Sequence, residues 1–299
     1  MSSLPLPPLP ARPALPARLG LMLARLTAGL SAALTPATRA PDTAARAPKT
    51  GHIALVGAGP GARDLLTLRA LDRLRAAEVI FYDRLIDPEV LALAPARARL
   101  VDVGKAVGAC HWPQARIDAA ITAAALTGAR VVRLKSGDPS IFGRATEELA
   151  AARRHGIPVE IVPGVTAASA TGAALGRALT ERGETDRLVI ATGTCRPGDA
   201  APDWGAMLAP GTTLALYMGV RQAGEIERSL RAAGVPPETE VEIAGAVSTA
   251  AERIARCTTG TLAATLAAEG IGNPAIILIR RPKGATTAAA ATVAETAAP

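Results

Sequence analysis

Short apolar runs that end near a glycine and lead into helical stretches recur between residues 51 and 283, and this alternation restricts the fold more than anything else in the chain. The runs at 52–56, 79–82, 99–103, 131–134 and 158–162 read as strands, the one at 131–134 as a buried strand. Between them, Leu65, Leu68, Leu71 and Leu74 fall at helical spacing over 64–78, Pro88 opens a short helix, and Pro113 and Gly128 bracket a longer one. Strands joined in this way through helices and short loops require a mostly parallel sheet with both faces covered.

Pro163-Gly164 reads as a hinge. After it come a small-residue helix opened by Thr166 as N-cap, strands at 188–192, 213–218, 241–247 and 275–280, and helices at 221–233 and from Thr261. The expectation is an α/β protein with two α/β domains of similar size, 51–164 and 165–283, and a ligand site in the cleft between them. Residues 1–48 are rich in Pro, Ala and Arg, and residues 284–299 in Ala and Thr, which predicts disordered ends.

The net charge of +7 suggests nucleic acid until it is divided along the chain. Six basic residues and one acid lie within the first 50, so the excess belongs mainly to the extension. Aromatics make up 2% of the residues, which leaves no stacking platform for bases. Nucleic acid is therefore not an expected partner. The uncharged run at 26–38 is too short to span a bilayer, so no membrane partner is expected either. Cys110, Cys195 and Cys257 form no CxxC pair, and His52, His111 and His155 are scattered, which suits a reducing cytoplasm and predicts no metal site.

The richest stretch is 131–144. Its apolar strand runs into Ser136-Gly137-Asp138-Pro139, where Gly137 can take positive φ and backbone can approach a ligand closely. Such loops at strand ends are where open α/β sheets place ligands, and the Asp138 carboxylate suits a ribose hydroxyl or an ammonium group. Gly57-Ala58-Gly59-Pro60-Gly61-Ala62 follows the first strand and formally satisfies the dinucleotide fingerprint, with Asp83 about twenty residues on. Pro60 has no N–H to offer a pyrophosphate, so a tight turn and a dinucleotide site both remain open here. Asp83-Arg84 and Val103-Gly104-Lys105 leave successive strands, where an acid and a lysine can move protons or simply meet solvent. Met218, at the end of the 213–218 strand, suits a flat or sulfur-bearing ligand, or a core.

Taken in order, these stretches resemble the tetrapyrrole (corrin/porphyrin) methyltransferase family. The resemblance runs from about Gly51 to Arg280 through VGAGPG with DLLTL, YDRL, VGK, RLKSGDPSIFGR with Glu147-Glu148, VPGVTAAS, LTERG, ATGT and YMG. It implies two α/β domains, a homodimer, and S-adenosylmethionine bound in the cleft. The cofactor contacts it implies are Pro60, Ser136, Gly137, Asp138, Ile141, Thr166, Ala167 and Met218, with a further backbone contact near Val247. Asp83 matches the family's proton acceptor and Lys105 its proton donor. The implied reaction is two successive methyl transfers onto uroporphyrinogen III, whose carboxylates Arg84, Arg144 and Arg182 would pair with. A methyltransferase acting on a later corrinoid and an NAD-dependent oxidoreductase are the alternatives. Four residues depart from the family pattern: Ala62 stands for an Asp, Ser136 for a Gly, Glu181 for a His and Thr194 for a His.

Overall fold

The computed structural model describes residues 50–104, 112–195 and 198–284. The extension at 1–48, all of the tail beyond residue 284, and Lys105, Cys110 and His111 lie outside the described residues. Among the described residues there are two five-stranded sheets, both within one compact unit.

The first sheet is formed by β1 (His52–Gly57), β2 (Val79–Tyr82), β3 (Arg99–Asp102), β4 (Arg130–Lys135) and β5 (Val159–Val162), in the order β3-β2-β4-β1-β5. Every pairing in it is parallel, as the alternation predicts. Its crossovers carry α1 (Leu68–Ala76), α2 (Pro88–Leu91), α3 (Gln114–Leu126) and α4 (Ala145–Arg154). Successive strand residues point to opposite faces, and two cores result. Ala54, Val56 and Val132 pack with Leu74 of α1, while Ile53, Leu55 and Val131 pack with Ile117 and Ile121 of α3 and Ala152 of α4.

The helix expected at 64–78 is shorter than its leucine spacing suggests. Residues 63–65 form a 3-10 turn, Leu66 and Thr67 are extended, and the Thr67 hydroxyl caps α1 by accepting from Ala70 N at 3.1 Å. A good N-cap inside a helical pattern restarts the helix there.

The second sheet is mixed. It comprises β6 (Arg187–Thr192), β7 (Thr212–Tyr217), β8 (Glu240–Gly245), β9 (Arg253–Thr258) and β10 (Ala275–Arg281), in the order β6-β7-β10-β8-β9. Only β6 and β7 run parallel. One face holds Ala168 and Ala170 of α5 (Ala167–Ala174) against Ala215, Ala244, Ile276 and Leu278. The other buries α6 (Trp204–Met207), α7 (Ala223–Ala232) and α8 (Leu262–Ala268). Strand β9 and helix α6 are absent from the sequence reading. The strand expected at 241–247 stops at Gly245, because Ala246 and Ser248 take positive φ and turn the chain.

Candidate functional site

Three loops at the carboxyl ends of β1, β4 and β5 meet with almost no side chain between them. Gly59 and Gly137 form an antiparallel bridge, with Gly137 N donating to Gly59 O at 2.7 Å and Gly59 N to Gly137 O at 3.3 Å. A Cβ on Gly57 would lie 2.6 Å from Gly164 N and 2.7 Å from Gly137 O, and one on Gly164 would collide with the same carbonyl. Asp138 locks the junction. Its Oδ2 accepts from Gly164 N at 3.0 Å, and its Oδ1 accepts from Ser140 N at 2.7 Å and from the Ser140 hydroxyl. The expected hinge at Pro163-Gly164 is thus a packed joint, held by the carboxylate that the sequence offered to a ligand. Gly137 itself has φ +68, and a Cβ built on it would meet nothing within 4 Å. Buried backbone with open space on its free side is a cradle for a ligand.

The second sheet contributes Tyr217 and Met218. The Tyr217 hydroxyl accepts from Ala168 N at 2.9 Å and shares a hydrogen bond with Thr166 Oγ1 at 2.6 Å. Thr166 occupies the N-cap position of α5 but its side chain makes no cap bond; Tyr217 takes the orphan amide in its place. The Tyr217 ring also meets Phe142, from the loop after β4, at a centroid distance of 5.4 Å. Phe142, Arg144 and Met218 are all non-glycine residues at positive φ, with values of 51°, 56° and 56°. Strain of this kind persists where the surroundings demand it and gathers at functional sites. Met218 is 40% exposed, so it is not a core methionine. Ile141 is half-buried, Val247 is buried against Ala170 and Ala244, and Pro60 and Ala167 are half-buried.

Asp83 follows β2 and is not solitary. Its Oδ1 accepts from Arg133 Nη2 at 2.5 Å, and Arg133 reaches on to Glu148. Of the expected substrate arginines, Arg84 and Arg182 are exposed, while Arg144 is paired with Glu147 at 2.6 Å. Two of the four departures from the family pattern, Glu181 and Thr194, find local partners. Glu181 Oε2 accepts from Arg280 Nη2 at 2.9 Å, so its charge is matched within the protein. Thr194 Oγ1 lies 3.9 Å from Met218 Sδ.

These contacts set aside the dinucleotide reading. In that fold the glycine loop opens directly onto a helix N-terminus, whereas here α1 begins only at Leu68. The amides of Ala58 and Gly59 already donate to Lys135 O and Gly137 O, and Asp83 is held by Arg133 rather than offered to a ribose. Among the described residues no group of three or more His, Cys, Asp or Glu could hold a metal ion, and no helix is long and apolar enough to cross a membrane. Sequence reasoning did not single out Arg133, Glu148 or Tyr217 for the site. All three lie within the stretches that carry the resemblance, and the further signal for Arg133 was a charge inside the apolar run of β4.

Comparison with known proteins gives this arrangement a lineage. The family model for Tetrapyrrole (Corrin/Porphyrin) Methylases matches residues 52–263. A uroporphyrinogen-III C-methyltransferase of Paracoccus denitrificans is 42% identical over 231 residues, which is 77% of this chain and 80% of that protein. A siroheme synthase of Tolumonas auensis is 45% identical over 208 residues, 70% of this chain but only 44% of the relative, so the chain spans less than half of that longer protein. Among solved structures, a uroporphyrin-III C-methyltransferase of Thermus thermophilus complexed with S-adenosyl homocysteine has a TM-score of 0.65 at 37% identity, covering 77% of this chain and 97% of that one. A cobalt precorrin-4 methyltransferase of cobalamin biosynthesis has a TM-score of 0.69 at 25% identity, covering 77% and 94%.

Proposed function

The chain belongs to the tetrapyrrole (corrin/porphyrin) methylase family, and from that premise we propose that it is an S-adenosylmethionine-dependent C-methyltransferase. Its substrate in this reading is uroporphyrinogen III, methylated twice in succession to precorrin-2 for sirohaem or cobalamin synthesis. The observation that carries the reading is the open-sided Gly137, set in a junction of three loops whose motifs follow the family in order.

When bound, S-adenosylmethionine supplies an electrophilic sulfonium methyl. Backbone at Pro60, Ser136, Gly137 and Val247, with Asp138, Ile141, Thr166, Ala167 and Met218, forms its binding surface in this proposal. Those residues have chiefly to align donor and acceptor, because displacement at a methyl group depends on geometry more than on acid–base help. Asp83, a third exposed, takes up on Oδ2 the proton that the macrocycle loses elsewhere once a fully substituted ring carbon has gained the methyl group, while Arg133 holds Oδ1. Lys105 is assigned the donor role. Arg84, Arg144 and Arg182 pair with substrate carboxylates, Arg144 exchanging Glu147 for one of them. We divide the chain into domains at 51–164 and 165–283, each built on one sheet, and propose a homodimer working in the cytoplasm.

The test is anaerobic incubation with uroporphyrinogen III and S-adenosylmethionine, followed by mass spectrometry. Products heavier by one and then two methyl groups are expected. Unmodified uroporphyrinogen III beside a methylated later corrinoid would favour the second reading, to which the likeness to a precorrin-4 enzyme lends support.

A further inference from the structure

Buried charges are costly to hold, and an apolar cluster of the same volume is often at least as stable. The centre of the first sheet nevertheless holds three charged side chains, Arg133 and Lys135 on β4 and Glu148 on α4, none more than 4% exposed. Arg133 and Lys135 are two apart on a strand and so share a face, the face that α4 covers. Lys135 Nζ donates to both Glu148 oxygens, at 2.9 and 3.0 Å. Burial pushes the Lys135 ammonium below its ordinary range, with Arg133 adding to that and Glu148 opposing it. Gln114 Nε2 lies 3.4 Å from Glu148 Oε1 and 2.7 Å from Asp118 Oδ1.

Two cations around one carboxylate leave a positive charge to be matched. Arg133 finds its second anion in Asp83. Its three kinds of nitrogen point to three partners: Nε to Glu148 Oε1 at 3.1 Å, Nη1 to the Leu134 carbonyl at 2.9 Å, and Nη2 to Asp83 Oδ1 at 2.5 Å. Only a planar guanidinium can hold those directions at once; a lysine ammonium is a point charge on a flexible stem. Asp83 is the one member of the group that reaches solvent, with its side chain 33% exposed.

We propose that Arg133 is a positioning residue for the methyl-transfer reaction, fixing the Asp83 carboxylate in one orientation while Glu148 and Lys135 fix Arg133. This rests on Asp83 being the proton acceptor. The chain of contacts spans the interior from α4 to the end of β2, so the catalytic carboxylate is oriented from behind by the core rather than by its own loop. Of the four residues only Lys135 meets the Gly137 junction, and it does so through its backbone carbonyl, which accepts from Ala58 N, so loss of the side-chain contacts should leave cofactor binding alone.

The variant that tests it is Arg133→Lys, which keeps the charge and loses the fork. The expected result is a kcat lower by about 10- to 100-fold, the scale of an ångström-level misplacement. KM for uroporphyrinogen III and calorimetric affinity for S-adenosylhomocysteine should stay within about twofold of wild type. Combined with Asp83→Asn, Arg133→Lys should cause no further loss, because it acts through that carboxylate. Wild-type turnover by Arg133→Lys beside a slow Asp83→Asn enzyme overturns the positioning role and leaves the acceptor role standing. Losses that multiply in the double variant overturn it as well, since Arg133 then acts independently of Asp83. Wild-type turnover by Asp83→Asn removes the acceptor reading and this inference with it. If Arg133→Lys does not fold, Glu148→Gln, which keeps size and one acceptor oxygen, makes the same test from the other end, with the same selective loss of kcat and the same non-additivity expected.

Discussion

The two sheets bury a glutamate each, and they treat it differently. Glu148 in the first sheet's core is enclosed with two buried cations, and of the four residues in that ion-paired chain Asp83 alone reaches solvent. Glu242 on β8 is as deeply buried, but its partners Arg177 and Arg256 have side chains 35% and 61% exposed, so its charge is matched from outside. The difference follows from topology. In an all-parallel sheet every strand ends at the same edge, and loops that carry chemistry gather there, with the core directly behind them. The mixed sheet sends its turns to both edges, and from it come Tyr217, which caps α5, and the exposed Met218. One sheet supplies charge and the other supplies surface.

That contrast can be broken at its strongest point. Glu148→Ala strands Arg133 and Lys135 in the core and should cost about 3–5 kcal/mol of unfolding free energy in urea titrations. Glu242→Ala leaves cations that water can reach and should cost about 1 kcal/mol or less. Equal losses at the two positions would show that the sheets do not differ in this way. The joint in front of the first sheet gives a smaller effect. Asp138→Ala should weaken S-adenosylhomocysteine binding by about 1.5–3 kcal/mol. Because Asp138 also ties Gly164 to the loop, thermal stability should fall alongside, and a fully stable variant with unchanged affinity would make the carboxylate dispensable to both. The smallest effect concerns pH. At the β5 edge, Arg73 holds the Glu160 carboxyl below its ordinary value, chiefly by their hydrogen bond. A lowered carboxylate pKa contributes stability that is fully present above the unfolded value of 4.5 and is lost as pH falls through the folded one. Both side chains are more than a third exposed, so the contribution should stay below about 1 kcal/mol. Glu160→Gln should flatten the acid limb of the stability curve by that amount, and an unchanged limb would count against the pair.

What the sequence disclosed and what it concealed divide along the same line. Strands of the parallel half are short, mostly apolar runs, and their positions could be read within a residue or two. Strand β9 escaped because Arg253–Thr258 lies at a sheet edge and its charges, at 253 and 256, follow no period of two. Helix α6 escaped because its four residues, Trp204–Met207, are too few to show a period. The site was legible where it is built from contiguous backbone, as at 136–138. It was illegible where a partner lies far along the chain: Arg133 is 50 residues from Asp83, and Tyr217 is 51 from Thr166. Thr166 has the right residue type for a cap, and only the tertiary fold brings a phenol close enough to replace it.

The meeting of Gly57, Gly137 and Gly164 also governs how such a chain can drift. Gly57 and Gly164 are each hemmed in by the backbone of the other and by the Gly137 carbonyl, so a methyl group gained at either must displace a neighbouring segment rather than a side chain. No compensating substitution at a partner can make room, because the partner has nothing left to remove. Variation at this end of the sheet is therefore pushed to the positions alongside. Ser136, half-buried and immediately before Gly137, carries a side chain where the three glycines around it carry none. A side chain fits at Ser136 because that position lies beside the joint rather than within it.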